Sequence, residues 1–196
     1  MSSKVSPILS YQPKTRAEWR KWLATNHNTA KGIQLVIIRK NAEVAGITYS
    51  DAVEEALCFG WIDGRADSFD GQRYKLYMAP RKPGSVWSRL NKQRIRNLVK
   101  DGSMTSAGLA KIEAAKKDGS WTQLDAIDKL EMPEDLLEHL SANAEAKRNF
   151  EAFSNSSKKM ILFWIANAKR EETRRKRIEE TVRLAEQNIK AAHRSQ

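Results

Sequence analysis

Strand-like apolar patterning in this chain is confined to two stretches, residues 33–40 and 61–79, and after Pro80 every apolar pattern is helical. That restriction limits the fold more than any motif does, because a period of two and a period of 3.6 bury different faces and do not interconvert. IQLVIIRK, 33–40, is a short β-branched run of the kind that makes a buried strand. WIDGRADSF and QRYKLYMA flank Asp70-Gly71, the signature of a two-residue type I′ hairpin turn. The pattern predicts an α+β fold: a small three-stranded sheet with helices, followed by an all-helical C-terminal unit. The expected division is an α+β unit over 1–119 and a helical unit over 120–196.

Counting outward from the Asp70-Gly71 turn puts Trp61, Asp63, Arg65, Asp67 and Phe69 on one face with Gln72, Tyr74, Leu76 and Met78. Gly64 then lies opposite Tyr77, whose ring can cover the gap that a glycine leaves in a sheet. Leu76, Met78 and Phe69 favour helices on the Trp61 face, which would make Asp63 and Arg65 a buried pair; helices on the Ile62, Gly64, Ala66 face would instead leave the Trp61, Asp63, Arg65 row available for binding.

Helix signals are placed with similar economy. Thr15-x-x-Glu18 opens a helix near 15–25 with Trp19, Trp22 and Leu23 on one face. A second runs from Thr48 or Ser50 to a stop at Gly60, with Val53, Ala56 and Leu57 inward. A basic amphipathic helix is expected over 86–100 and another over 105–117, then a connection over 119–132 with some local order. About four helices follow, the last reaching residue 194. No internal repeat or low-complexity tract interrupts them.

Charge narrows the partners. The 196 residues carry a formal net charge of +11, with 21 Lys+Arg against 11 Asp+Glu in residues 1–119 and a near balance beyond. Residues 71–100 hold nine basic side chains and no acid, a field that attracts anions. The expected partners are therefore an anionic small molecule or an acidic protein, with nucleic acid as an alternative. No apolar run approaches the roughly 18 residues of a membrane helix, and MSSKVSPILSYQPK lacks a secretory h-region. A cytoplasmic protein without membrane insertion is expected.

Catalytic and metal chemistry find little support. A single cysteine, Cys58, excludes an internal disulfide, and His27, His139 and His193 are too scattered for zinc. Cys58 lies in the last turn of its helix, where the dipole disfavours a thiolate, so it reads as an inert buried thiol. Asp63 and Asp67 would stand roughly 13 Å apart on a strand, too far to share a proton. No phosphate-loop, dinucleotide or nucleophile-elbow motif occurs. No catalytic residue, metal or cofactor is assigned.

The chemistry-bearing segment is YMAPRKPGSVWSRLNKQR, 77–94. Ser85 or Ser88 can cap the helix that follows, and Arg81 and Lys82 arrive just before it, an arrangement suited to phosphate or carboxylate. The candidate ligand-binding residues are Arg73, Tyr77, Arg81, Lys82, Ser85, Trp87, Ser88, Arg89 and Asn91, with Trp61, Asp63 and Arg65 from the neighbouring strand. Tyr74, Tyr77 and Trp87 among the cations also suit base stacking. Asp63 as acid or base on a phosphorylated or carboxylated metabolite is the enzymatic alternative.

AVEEALCFGWIDG, APRKPGSVWSRLNK, DGSMTSAGL, MPEDLLEHL and FEAFSNSSKKMILFWIANAKREETRRKRI together resemble the YdeI/OmpD-associated, or bacteriocin-protection, family over about 15–190. The matching positions are Gly60, Trp61, Asp63, Gly64, Arg81, Trp87, Ser88 and Asn91, then Trp164, Lys169, Glu172, Thr173, Arg174 and Arg177. The resemblance implies a two-part bacterial protein with a C-terminal helical module, linked to stress or antimicrobial-peptide protection. It implies no catalytic residues, and the acid-free 71–100 segment adds the expectation of a non-enzymatic binding module.

Overall fold

The computed structural model of the chain describes residues 9–192. Its contacts divide the chain into two compact units, Met1–Trp121 and Thr122–Gln196. Residues 1–8 of the signal-peptide reading, His193 and Arg194 lie outside the described residues.

In the first unit the order is β1 (Ser10–Tyr11), α1 (Arg16–Asn26), β2 (Ile33–Ile38), α2 (Tyr49–Cys58), β3 (Trp61–Ser68), β4 (Arg73–Pro80), α3 (Arg89–Lys100) and α4 (Ser106–Lys117). The sheet has four strands, not the expected three, in the order β1-β2-β4-β3. β1 is two residues long and pairs parallel to β2, anchored by Gln34 N–H donating to Leu9 C=O at 2.9 Å. Two residues are too few to carry an alternating pattern. The helix boundaries were more legible, because side chains set them: Thr15 caps α1, a capping box of Thr48 and Asp51 opens α2, and Ser88 caps α3.

Trp19, Leu23, Leu35, Trp61, Leu76 and Met78 share one core with Trp87 and Ile95. The helices therefore cover the Trp61, Leu76, Met78 face of the sheet, as the apolar count on the hairpin indicates. Each such side chain contributes about 1.5–3 kcal/mol by leaving water.

The hairpin departs from its expected register. Trp61, Ile62 and Asp63 pair with Pro80, Ala79 and Met78 as counting requires, but Ala66 pairs with Leu76 and Ser68 with Tyr74. A bulge at Gly64 and Arg65 absorbs the extra residue and turns the strand. The cause lies at the turn. Asp70 Oδ1 accepts the N–H groups of Gln72 (2.9 Å) and Arg73 (2.7 Å), and its Oδ2 accepts Arg73 Nε (2.8 Å). This closes a wider loop than a two-residue type I′ turn, and Gly71 is not among the residues with positive φ. Beyond the bulge Asp67 faces Lys75, and Phe69 is 45% exposed instead of joining the core.

The second unit is helical throughout its ordered elements: α5 (Asp125–Asp128), α6 (Glu134–Ser141), α7 (Ala144–Ala152), α8 (Asn155–Ala166) and α9 (Glu171–Glu186). Leu136, Leu140, Phe150, Ile161, Ile165, Ile178 and Ala185 form its separate core. α9 ends eight residues before the expected limit of 194. Asn188 adopts φ +56°, and Ile189 N–H turns back to Leu184 C=O at 2.8 Å. An asparagine tolerates the left-handed region that closes a helix, and that local preference outweighs further propagation. No helix among the described residues is long and apolar enough to cross a membrane.

Candidate anion-binding site

The site begins where β4 ends. Arg81 N–H donates to Gly60 C=O at 3.0 Å, which ties the segment after the strand to the α2–β3 joint. Next comes a turn in which Ser85 N–H donates to Lys82 C=O at 3.2 Å, with Pro83 and Gly84 between. Gly84 has φ +72°, the value a type II turn needs at its third position, and proline presets the second. The reversal delivers Trp87 into the core, 2% exposed and 5.2 Å from the Trp121 ring.

Trp87 then serves as a floor for Arg81. The guanidinium carbon lies 3.5 Å from the centre of the indole, and the whole residue is 3% exposed. Nη1 donates to Val86 C=O at 3.2 Å, while Nε and Nη2 are buried with no hydrogen-bond partner among the described residues. Burial pushes the Arg81 pKa down to about 10, with the Asp63 charge acting against the fall. The residue is still a cation at neutral pH. A buried donor without an acceptor costs about 1–3 kcal/mol, and more when charged. The stack on Trp87 offsets part of this, since a desolvated cation–π contact is worth about 2 kcal/mol.

Arg81 lines a cavity of about 50 Å³ together with Lys82, Gly84, Ser85, Lys111 and Asp118. Lys111 arrives from α4 across Gly60. A Cβ on Gly60 would meet Lys111 Cγ at 2.5 Å, and the residue also holds φ +72°, so only glycine ends α2 and admits the lysine stem here. Asp118 accepts Gly84 N–H at 3.1 Å and Ser120 N–H at 2.9 Å. The Ser120 side chain and these two amides hold its carboxyl below the usual carboxylate range. The Ser120 hydroxyl is itself buried without a hydrogen bond of ordinary geometry, so its help to Asp118 is that of a nearby dipole.

Of the residues expected at a ligand site, Arg81, Lys82, Ser85 and Trp87 come together here. The others are placed elsewhere. Ser88 Oγ accepts Asn91 N–H at 3.2 Å, so the α3 terminus is closed by its own serine. Asn91 is 8% exposed, with its Oδ1 accepting Arg94 Nη1 at 3.1 Å, and Arg89 is exposed on α3. Trp61 is 1% exposed, donating Nε1–H to His27 C=O at 3.1 Å and meeting Trp22 edge-on, which makes it a core residue. Tyr77 packs its ring over Gly64, 3.2 Å from where a Cβ would stand. Arg73 is held by Asp70 at 2.6 Å.

The expected buried Asp63–Arg65 pair does not form. Asp63 Oδ2 accepts the Tyr49 hydroxyl at 2.8 Å, and burial together with that bond pushes the Tyr49 pKa up to about 12. Arg65, thrown outward by the bulge, is 82% exposed and pairs with Asp67 at 2.8 Å. Cys58 is buried, and burial, then the Glu55 charge, push its thiol up to about 11, as befits an inert thiol. Lys111, Gly84 and Asp118 were invisible as site residues in the sequence. Lys111 reads as an ordinary helix-surface cation, and no spacing rule links it to Arg81.

Among the family-motif positions of the second unit, Arg174 forks onto Asp135 at 2.6 and 2.8 Å. Arg177 donates to Trp164 C=O and lies over its ring at 5.1 Å. These arginines hold helices together.

Fold and site thus define a two-unit α+β protein, with an underpartnered buried arginine in the first unit and a separately packed helical second unit. The chain belongs to the family described as Domain of unknown function (DUF8412), whose model matches residues 11–111. Residues 129–188 match the model described as Bacteriocin-protection, YdeI or OmpD-Associated, so the helical unit carries that family's domain. The resemblance expected over 15–190 therefore divides, its first-unit motifs falling within the other family's span. Neither a curated protein nor a solved structure matches the chain.

Proposed function

We propose that this protein is a non-enzymatic, bacteriocin-protection-related binding module whose first unit takes an anionic ligand at the Arg81 cavity. The observation that carries the reading is Arg81 itself: a cation 3% exposed whose Nε and Nη2 have no acceptor among the described residues. Groups of this kind are rare because they are costly, and an incoming anion recovers the cost. The helical unit supplies the protection-related part of the reading through its family domain.

Nucleic acid is the weaker partner on physical grounds. Trp61 lies in the core, and one face of Trp87 is covered by Arg81, so neither ring is free to stack a base. An acid–base role for Asp63 is disfavoured by the Tyr49 hydroxyl already bonded to it.

The test compares the full chain with Arg81→Glu combined with Arg89→Glu. Thermal shift with small anions at low ionic strength and survival of expressing bacteria under antimicrobial-peptide challenge are read in parallel. Loss of both anion stabilisation and protection is expected; unchanged values for both would remove the proposal.

A further inference from the structure

The composition of the Arg81 cavity carries the identity of the anion one step further, on the premise that an anion binds there. We infer that the site takes a phosphate monoester group, with the dianionic head seated in the cavity and the rest of the ligand outside.

Charge selects the class. Three cations, Arg81, Lys82 and Lys111, and one carboxylate, Asp118, line the cavity. Asp118 is kept ionised by the Ser120 side chain and the Ser120 and Gly84 amides, so the lining carries a surplus of two positive charges. A phosphate monoester near pH 7 brings about −1.5 to −2 and neutralises that surplus, whereas a monocarboxylate leaves one charge uncompensated in a partly desolvated place.

Shape points the same way. Nε and Nη2 form one edge of the guanidinium, closed to water in this structure, with the spacing of two oxygens of a single oxyanion that a small shift of the side chain would meet. Lys111 reaches the cavity from α4, a different element, and is available to a further oxygen that a planar carboxylate does not have. The volume, about 50 Å³, exceeds the ~10–15 Å³ needed for one water and admits a compact head but not a sugar or an aromatic ring. Lys82, Gly84 and Asp118 are exposed, so the head enters from solvent with its ester oxygen outward.

The experiment measures affinities of the full chain for inorganic phosphate, glycerol phosphate, sulfate and acetate by calorimetry at low ionic strength. Further samples contain phosphatidylcholine vesicles with and without phosphatidic acid. Because Arg81→Gln removes a core contact, Lys111→Gln is the second variant, and Arg65→Gln, outside the cavity, is the control. Phosphate and sulfate are expected to bind at one site, acetate at least tenfold more weakly. Lys111→Gln should weaken phosphate by about tenfold, the scale of one charge-assisted contact, with Arg65→Gln unchanged. Phosphate affinity should fall between pH 7 and 5 as the dianion gains a proton while sulfate affinity holds. Equal binding of acetate and phosphate would overturn the phosphate assignment and leave the anion reading standing. Absence of any anion binding to the unmutated chain would overturn both. Glycerol phosphate binding without vesicle binding assigns a soluble monoester; phosphatidic-acid vesicle binding displaced by inorganic phosphate assigns a lipid head. Both results support the monoester class.

Discussion

Ion pairs brace both units, and the first unit adds one buried cation with no ion pair among the described residues. In the helical unit Arg174 meets Asp135 in a two-pronged bond, and Lys159 meets Asp128 at 2.8 Å. The α+β unit does the same at α2, where Glu55, 3% exposed, is bonded by Arg16 at 2.6 Å and Arg20 at 2.7 Å. Arg81 departs from this practice: it is as buried as Glu55, and among the described residues its side chain makes a single hydrogen bond, to a carbonyl. Charges in a fold that serve only stability acquire opposite partners, because an unpaired one is expensive. A charge left without one marks a place where something other than stability set the residue.

The contrast can be broken most forcefully at Trp87. Replacing it with Ala removes the floor under Arg81 and a fully packed ring, and should destabilise the first unit by about 3–5 kcal/mol in urea titrations. A loss below about 1 kcal/mol would mean that the stack is not what holds the cation. Next, Arg81→Met and Arg174→Met should differ in sign. In buffer without multivalent anions the first is expected to stabilise by about 1–2 kcal/mol, because a buried charge gives way to an apolar chain. The second should cost no more than about 1 kcal/mol, as befits a pair that is partly exposed. Matching signs would erase the distinction between the units.

A smaller effect is written in pH. The Arg174 bond and charge hold the Asp135 carboxyl below its ordinary 3.8. Its contribution is therefore present above 3.8 and lost as pH falls through the lowered value. Asp135→Asn should flatten that acid limb in denaturation curves taken from pH 5 to 2, and an unchanged limb would deny the pair its role. Smallest is Cys58. Its thiol, raised from an ordinary 9.0 to about 11, favours the fold below pH 9, and that support is lost as pH climbs toward 11. At pH 8 a thiol reagent should leave it intact in the native chain and modify it in urea. Ready labelling of the native protein would show that the α2 end opens.

Legibility followed the range of the interactions. Helix starts depend on an oxygen and an amide three residues apart, so Thr15 could be read directly and the other two narrowed to Thr48 or Ser50 and to Ser85 or Ser88, of which the structure uses Thr48 and Ser88. So could the side of the hairpin that the helices cover, because Leu76 and Met78 declare it. Tyr77 over Gly64 follows from register near the strand ends, where the count held. The bulge did not follow, because Asp70 binds its own loop more tightly than a generic Asp-Gly turn requires, and one shifted residue sends Arg65 outward. Arg81, Lys82, Ser85 and Trp87 were legible as one basic, aromatic segment. Lys111 and Asp118 were not, since α4 brings them from about thirty residues away.

By itself the sequence determined the α+β class, the helical character of the described elements after Pro80, the cationic bias of the first half and the buried thiol, because periodicity, charge and capping are local properties of the chain. Tertiary structure alone decided that Arg65 points outward, that Asp63 answers to Tyr49, and that Arg81 is buried with no ion-paired carboxylate among the described residues. Desolvation is the physical reason for that division. A side chain's charge is written in its formula, but what it costs depends on which distant residues exclude water from it and which of them offer an acceptor.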